Sequence, residues 1–299
     1  MLLTDIVDLL VTGIVRGGIY ALMALGLALV FGVMNVCNFA HGELYMVGAF
    51  AAYFAFAQFG LPPLLAILFA GVIGFAFGVV IEVSVFYPLR KRVKEEWVIN
   101  TFLVTVGLSF MLQNLSFVIW GHKYRGIEAY WTGSLRITPG MTISLDRVAS
   151  LLIAAATIVI FWLFLRRTQL GRAIRAVSQD ERGAALVGID LDRIHALTFG
   201  LSSMLAAVAG ASLLSVTQTY PAMGAKPLLS SWLVVTMVGL GNVSGSVVGG
   251  FIVGILEAGS YYFLGAGWQT AISLVVLMLI LVLKPSGLFG TQVKGVLER

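Results

Sequence analysis

The chain has 299 residues, of which 59% are apolar and 11% charged, and its net charge is +5. Soluble domains average about 45–50% apolar and about 25% charged residues, so the mean hydropathy of +0.98 is typical of a membrane protein. This composition excludes a disordered or collagen-like chain, and the single Cys37 excludes an intramolecular disulfide. No polar stretch is long enough to fold separately, which predicts one transmembrane domain over residues 1–299.

The first eight residues contain Asp5 and Asp8 but no basic residue, so we expect a retained N-terminus and no cleaved signal. Apolar runs of about 17–25 residues recur from there to the end of the chain. They predict an all-α, polytopic membrane protein with eight or nine transmembrane helices. The runs are residues 6–33, 43–59, 63–87, 97–120, 148–165, 194–218, 229–243, 247–264 and 268–284.

Two of these runs allow alternatives. Arg16-Gly17-Gly18 can divide the first run into a short or amphipathic helix followed by a span. The segment Gly239–Gly245 is too rich in glycine for a straight helix, which favours a broken or re-entrant helix before it.

Basic residues indicate which loops are cytoplasmic. They form three groups that lie on one face if the runs alternate, and this predicts a cytoplasmic C-terminus. The opposite face then holds residues 121–147, which carry four basic residues but also aromatic side chains suited to the headgroup region. The three groups are Arg90, Lys91, Arg92 and Lys94; Arg166, Arg167, Arg172, Arg175, Arg182 and Arg193; and Lys284, Lys294 and Arg299.

The longest polar stretch on the predicted cytoplasmic side is residues 166–193, which we call the docking loop. Its pattern predicts two short amphipathic helices, with small faces formed by Ala173, Ala176 and Val177 and by Ala184, Ala185 and Gly188. Small faces allow another protein to approach closely, and Asp180, Glu181 and the arginines would pair with it at the rim. The alternative is an ordinary basic loop packed against lipid headgroups.

Three motifs, in this order, resemble those of a known family: GVMNVCNFAHGELYMVG from Gly32, GRAIRAVSQDERGAALVGI from Gly171 and KPSGLFG from Lys284. The chain closely resembles the permease subunits of branched-chain amino-acid ABC importers along nearly its whole length. It is similar to the shorter permease of the usual pair, because it lacks a long N-terminal extension.

The resemblance implies an ABC importer permease fold in a bacterial-type cytoplasmic (inner) membrane. It also implies a second homologous permease subunit, two ATP-binding subunits and an external substrate-binding protein, with lipid around the chain and no nucleic-acid partner. In such importers the docking loop supplies the helix that couples to the ATPase. The residues assigned to coupling are Gly171, Arg172, Ala173, Arg175, Ala176, Asp180, Ala184, Leu186 and Gly188.

The chain itself contains no Gly-x-x-x-x-Gly-Lys-Ser/Thr loop for nucleotide phosphates. We therefore expect no cofactor on this chain, with ATP and Mg²⁺ on partner subunits. The alternative energy source is an ion gradient.

Three acidic residues, Glu43, Glu82 and Glu257, lie inside apolar runs, where an ionised group costs roughly 2.5–3.5 kcal/mol. Glu82 lies two turns before the Arg90 group and can pair with it. Glu43 begins a helical run and is either a cap or interhelical hydrogen-bond partner, or a gate residue together with Asn35, Asn38 and His41. Glu257 is either part of an interhelical bond or of the pathway. With Asn242 these residues are the candidates for the translocation pathway or gate.

Small residues recur at spacing four in Gly245-x-x-x-Gly249 and Ser246-x-x-x-Gly250-x-x-x-Gly254, and Gly71, Gly74 and Gly78 form a similar series. These predict close helix packing. A metal site is not predicted, because His122 and His195 have no partner at ligand spacing, and no nucleophile motif supports catalysis.

The leading interpretation is therefore a permease subunit of an ATP-driven importer for branched-chain or other hydrophobic amino acids. A gradient-driven secondary transporter, with protons carried by Glu43 or Glu257, is the first alternative. A membrane-embedded enzyme is the second.

Overall fold

The computed structural model describes residues 2–93, 95–138 and 141–290, so Lys94, Lys294 and Arg299 lie outside the described residues. The described chain is predominantly helical and has almost no sheet, in agreement with the predicted all-α class. Its α-helices are α1 (Leu2–Met34), α2 (His41–Tyr53), α3 (Pro63–Ile81), α4 (Tyr87–Arg92), α5 (Trp97–Trp120), α6 (Leu145–Arg167), α7 (Gln169–Gln179), α8 (Glu181–Leu186), α9 (Leu191–Ser212), α10 (Ala225–Val238), α11 (Val243–Leu264) and α12 (Gln269–Leu283).

Seven helical segments of the described chain are long and apolar enough to cross a membrane. They comprise α1, α3 continued through α4, α5, α6, α9, α11, and α12 with the 3-10 turn before it. Two predicted runs instead form shorter helices: α2, which ends in the π-helical turn Phe54–Gln58, and α10. The predicted number of eight or nine spans therefore fits approximately, as seven long helices and two short ones.

Helix α1 forms the centre of the bundle and passes without a break through Arg16-Gly17-Gly18. The alternative that these residues divide the first run is therefore wrong. Glycines allow α11 to lie directly against α1, since a Cβ on Gly250 would meet the backbone of Ala21 and one on Gly254 would meet Gly17. The predicted close packing is observed along this contact.

The two ends of the bundle differ in composition. We call one the basic end, because it holds Arg90, Arg166, Arg175 and Lys284, and the other the loop end, because it holds residues 121–138 and 141–144. The indole of Trp97 donates to the carbonyl of Met34 at the basic end, 2.8 Å away, which places the start of α5 beside the end of α1.

The loop end contains a feature that the sequence did not predict, a two-stranded antiparallel sheet of β1 (Ser134–Thr138) and β2 (Met141–Ser144). The loop is attached to α6 through Asp146, which accepts the backbone N–H groups of Tyr130 and Trp131 at 3.1 Å each. Burial, together with the nearby Asp146 carboxylate, raises the pKa of the Tyr130 hydroxyl.

The short helices α2 and α10 begin against each other inside the bundle. A Cβ on Gly42 would lie 2.7 Å from the carbonyl oxygen of Gly224. His41 Nε2 lies 3.1 Å from the carbonyl oxygen of Met23, which is 11 residues, or about 16 Å, before the end of α1. Both helices therefore begin well below the surface.

The chain reaches these two starts from opposite ends. Residues 35–40 lead from the basic end to α2, and residues 213–224 lead from the loop end to α10, where Thr219 pairs with Arg125. Helix α10 has 14 residues and is only about 21 Å long, too short to cross alone, whereas α2 continues through its π-helical turn to Gln58. Non-helical backbone at this depth requires cover by protein or a water-filled cavity. The predicted broken or re-entrant helix before Gly239 is thus observed as α10, with α2 as its counterpart.

The packing of α2 on α9 provides a test of the fold. A Cβ on Gly48 would overlap backbone atoms of Ala207. We expect Gly48→Ala to lower the free energy of unfolding by about 1–3 kcal/mol, because backbone must move to make room. Gly107→Ala in α5, where a Cβ meets nothing within 4 Å, is the matched control and should be neutral or slightly stabilising. Thermal unfolding of both purified variants measures the difference, and equal stability would contradict the packing.

Candidate functional site

The docking loop is built as two short helices, as predicted. Thr168 caps α7 by accepting the N–H of Gly171 at 2.9 Å, while its hydroxyl donates to the carbonyl of Phe164. Gly171 lies so close to the end of α6 that a Cβ would overlap the carbonyl oxygens of Phe164 and Leu165. The turn from α6 into α7 is therefore fixed, and α7 is held close against the bundle.

The predicted faces of the two helices need correction. On α7 the buried residues are Gly171, Ile174 and Val177, whereas Ala173 and Ala176 are half-buried. Large apolar side chains three residues apart thus occupy the inner face in preference to alanine.

On α8 the correction is larger, because Ala184, Ala185 and Gly188 do not share one face. Ala184 is buried against the chain itself, whereas Ala185 and Gly188 are exposed. Gly188 has a left-handed φ of 86° and open space around its Cα, so glycine serves the helix end there and not a close contact. The residues that project outward are Leu186, 88% exposed, and Val187, 78% exposed.

An ionic cluster lies beneath the docking loop. Arg90 pairs with the buried Glu82, as the spacing predicted, and its guanidinium also contacts Nδ1 of His195 in α9. His195 is buried, and its Nε2 lies 3.8 Å from the carboxylate of Glu181 in α8. These four side chains connect α3 and α4, through α9, to the docking loop. The sequence predicted the pair of Glu82 and Arg90, but it did not predict that His195 and Glu181 join them.

The candidate gate residues around α2 have distinct local roles. Asn35 is exposed and ends α1 with a left-handed φ of 52°. Asn38 is buried, and its side-chain oxygen accepts the N–H of Ala40 at 3.0 Å. Both His41 and Glu43 are buried in the first turn of α2.

Glu43 does not cap α2, whose N-cap residue is Ala40 and which has no side-chain cap. It accepts a hydrogen bond from Ser109 of α5 at 3.1 Å, and within the described chain its second oxygen has no partner. His41 Nδ1 and Asn38 Nδ2 are likewise buried without partners there. Buried polar groups of this kind are expected to bind water or a ligand. Residues 35–43 therefore remain candidates for the pathway.

Glu257 lies fully buried between three helices. One carboxylate oxygen accepts from the Tyr20 hydroxyl of α1 at 2.8 Å, and the other accepts from the Ser230 hydroxyl of α10 at 2.7 Å. This geometry matches the interhelical bond that was one of its two predicted roles.

Asn242 lies far from Glu257, 15 residues or about 22 Å earlier on the same helix axis. It caps α11 by accepting the N–H of Gly245 at 2.8 Å and donates to the carbonyl of Phe289 at 3.0 Å. A cavity of about 750 Å³ opens there, lined by Asn242, Gly241 and Arg175 among others. Four of the six predicted pathway residues thus lie between the end of α1 and the first turn of α2, and the other two, Asn242 and Glu257, lie at the start and in the middle of α11.

Arg16 is the main residue that sequence reasoning missed. It was treated only as a possible interruption of the first run, although an arginine inside an apolar run is by itself a signal of function. In the structure it lines two adjoining cavities between α1 and the loop end.

A bundle of seven long apolar helices with two shorter ones and a capped surface loop is the architecture of a polytopic membrane protein. The model of the family described as branched-chain amino acid transport system / permease component matches residues 9–283. The chain belongs to this family. Its members are transport permeases and not enzymes, and the chain is a multi-pass inner-membrane protein.

Three relatives illustrate the similarity. The high-affinity branched-chain amino acid transport system permease proteins LivH of Salmonella typhimurium and LivH of Escherichia coli K12 are each 30% identical to this chain, over 93% of both chains in each pair. The permease protein BraD of Pseudomonas aeruginosa, from a system of the same description, is 30% identical over 94% of each chain.

Proposed function

We propose that this chain is the membrane-spanning subunit of an ATP-driven importer of branched-chain or other hydrophobic amino acids. The observation that carries the proposal is the exposed pair Leu186 and Val187, presented on a loop that is rigidly attached to the bundle. Exposed apolar groups rimmed by charges are typical of protein–protein contacts. The substrate class follows from the relatives, which are branched-chain amino acid permeases.

In this proposal residues 1–299 form a single permease domain that pairs with a second homologous permease. Of the two ATP-binding subunits, which hold ATP and Mg²⁺, one attaches at the docking loop, residues 166–193, and the other at the second permease. An external binding protein delivers the substrate at the loop end. The ionic cluster of Glu82, Arg90, His195 and Glu181 supports this role, because it connects the docking loop to α3 and α9.

A gradient-driven transporter is the competing function. The open oxygen of Glu43 favours it, since a buried carboxylate with a free site is suited to carry a proton. Glu257 does not favour it, because both of its oxygens accept hydrogen bonds from the chain itself.

Purification from native membranes separates the two functions. We expect a tagged chain to retain ATP-binding subunits and a second permease, and Leu186→Asp to lose the ATP-binding subunits alone. Isolation of the chain as a self-sufficient transporter would contradict the proposal.

The proposal also requires the basic end and the C-terminus to be cytoplasmic. Single cysteines at Ser134 in β1 and Ser178 in α7, both exposed, test this in a Cys37→Ser background. An impermeant thiol reagent added to intact cells should label Ser134→Cys, and Ser178→Cys only after the membrane is opened. The reverse pattern would place the docking loop outside, where no ATP-hydrolysing partner works.

A further inference from the structure

Arg16 is an unusual residue because it lies inside the membrane-spanning part of α1. It follows Asp8 by eight residues, which is about 12 Å along the helix from the loop end. An arginine at such depth is costly and normally pairs with an acid or faces water. In the described chain its Nη1 atom is buried and has no hydrogen-bond partner.

Within the described chain no carboxylate forms an ion pair with Arg16, and Glu257, whose partner Tyr20 lies one turn along α1 from Arg16, has both oxygens engaged by hydroxyls. Asp8 lies 3.7 Å from Arg147, and Asp5 accepts from the hydroxyl of Tyr262 at 3.4 Å. Lys226 donates to the side chain of Gln269 at 2.6 Å. Three cations and two acids line the two cavities that Arg16 borders, and within the described chain neither Arg16 nor Lys226 forms an ion pair.

The cavity beside Arg16 is suited to a small organic acid with an aliphatic side chain. Its volume is about 410 Å³, and its walls include Val15, Ile19, Leu213 and Met223. The start of α10, at Lys226 and Pro227, also lines it, and a helix N-terminus favours negative charge. Thr217 and Gln218 add oxygens that can accept from an ammonium group.

The geometry points to Arg16 as the carboxylate-binding residue for the transported amino acid, in a transient site that opens at the loop end. The guanidinium binds the carboxylate, and the apolar walls contact the aliphatic side chain. This inference rests on the proposed function for its substrate class, but it names a contact that the family assignment does not contain.

The test uses the chain assembled with its partner subunits in lipid nanodiscs, in a Cys37→Ser background. Val216, 39% exposed and lining the same cavity, is replaced by cysteine as a reporter. We expect leucine to slow thiol labelling of Val216→Cys at least fivefold. Leucinamide, which has the same side chain and ammonium group but no carboxylate, should not slow it.

In Arg16→Gln the protection by leucine should disappear. Arg16→Lys should keep part of it, because lysine retains the charge but not the bidentate guanidinium donor. Leucine uptake by Arg16→Gln should fall about tenfold or more, as expected for loss of a charged hydrogen bond. Arg136→Gln, which replaces an exposed arginine of β1, is the matched control and should leave the protection by leucine unchanged.

Equal protection of Val216→Cys by leucine with the native Arg16 and with Arg16→Gln would overturn the inference. So would the absence of protection by leucine in a complex that transports leucine. Protection by leucinamide as strong as that by leucine would overturn it as well. Absence of leucine uptake by the unaltered complex instead contradicts the proposed function, while the labelling result still decides whether Arg16 binds the carboxylate.

Discussion

Leu186→Asp is expected to reduce ATP-driven uptake more than tenfold while the chain still inserts and folds. Leu186 is 88% exposed, so the substitution disturbs no internal packing. In the proposed contact, however, an aspartate must be desolvated against an apolar surface, and losses of about 2 kcal/mol or more are typical at the centre of an interface. Uptake and co-purification of ATP-binding subunits measure the effect.

Leu135→Asp is the matched control, because Leu135 is 48% exposed in β1 at the loop end. It introduces the same charge away from the docking loop and should leave the co-purification of ATP-binding subunits unchanged. Normal uptake and normal association in Leu186→Asp would show that the exposed apolar residues of α8 do not bind the ATPase.

Glu257→Leu is expected to lower the free energy of unfolding by about 1–3 kcal/mol. The substitution removes the acceptor of two buried hydroxyls, those of Tyr20 and Ser230, and so loosens the contact of α11 with α1 and α10. Glu257→Gln should retain most of the stability, since its amide oxygen still accepts and the hydroxyls can reorient. Thermal unfolding of the purified variants compares them.

Transport by Glu257→Gln decides between the two predicted roles of this residue. If Glu257 serves only the interhelical bond, the Gln variant transports at close to the normal rate. A stable Glu257→Gln protein without transport would require the ionised or titrating carboxylate, and hence a pathway role.

Features that depend on local sequence were predicted well. Helix α5 was predicted over 97–120 and is observed as Trp97–Trp120, because Glu95 and Glu96 precede its apolar run and Gly121 ends it with a positive φ. The pair Glu82 and Arg90 was also predictable, because both residues lie on one continuous helical segment.

Features that depend on contacts between residues far apart in the sequence were not predicted. The meeting of Gly42 and Gly224 joins residues 182 positions apart, and neither short run shows in isolation where it begins in the bundle. The faces of α7 were misassigned because alanine is compatible with both a buried and an exposed position. Ile174 is buried because α7 packs against α1, α6 and α9, which the local sequence does not show.

The role of His195 was equally hidden from sequence, since its partners come from α4 and α8. Arg16 differs from these cases. Its charge inside an apolar run was visible, but the missing carboxylate partner and the adjoining cavities became apparent only when α6, α10 and α11 were placed around it.

Reconstituted uptake tests the central claim most directly. The chain is incorporated into liposomes with its second permease and ATP-binding subunits, binding protein is placed on the loop-end side, and labelled leucine uptake is followed with an uncoupler present. ATP-dependent accumulation that persists without any ion gradient is the predicted result. Uptake by this chain alone, driven by a proton gradient and indifferent to ATP, would contradict the account.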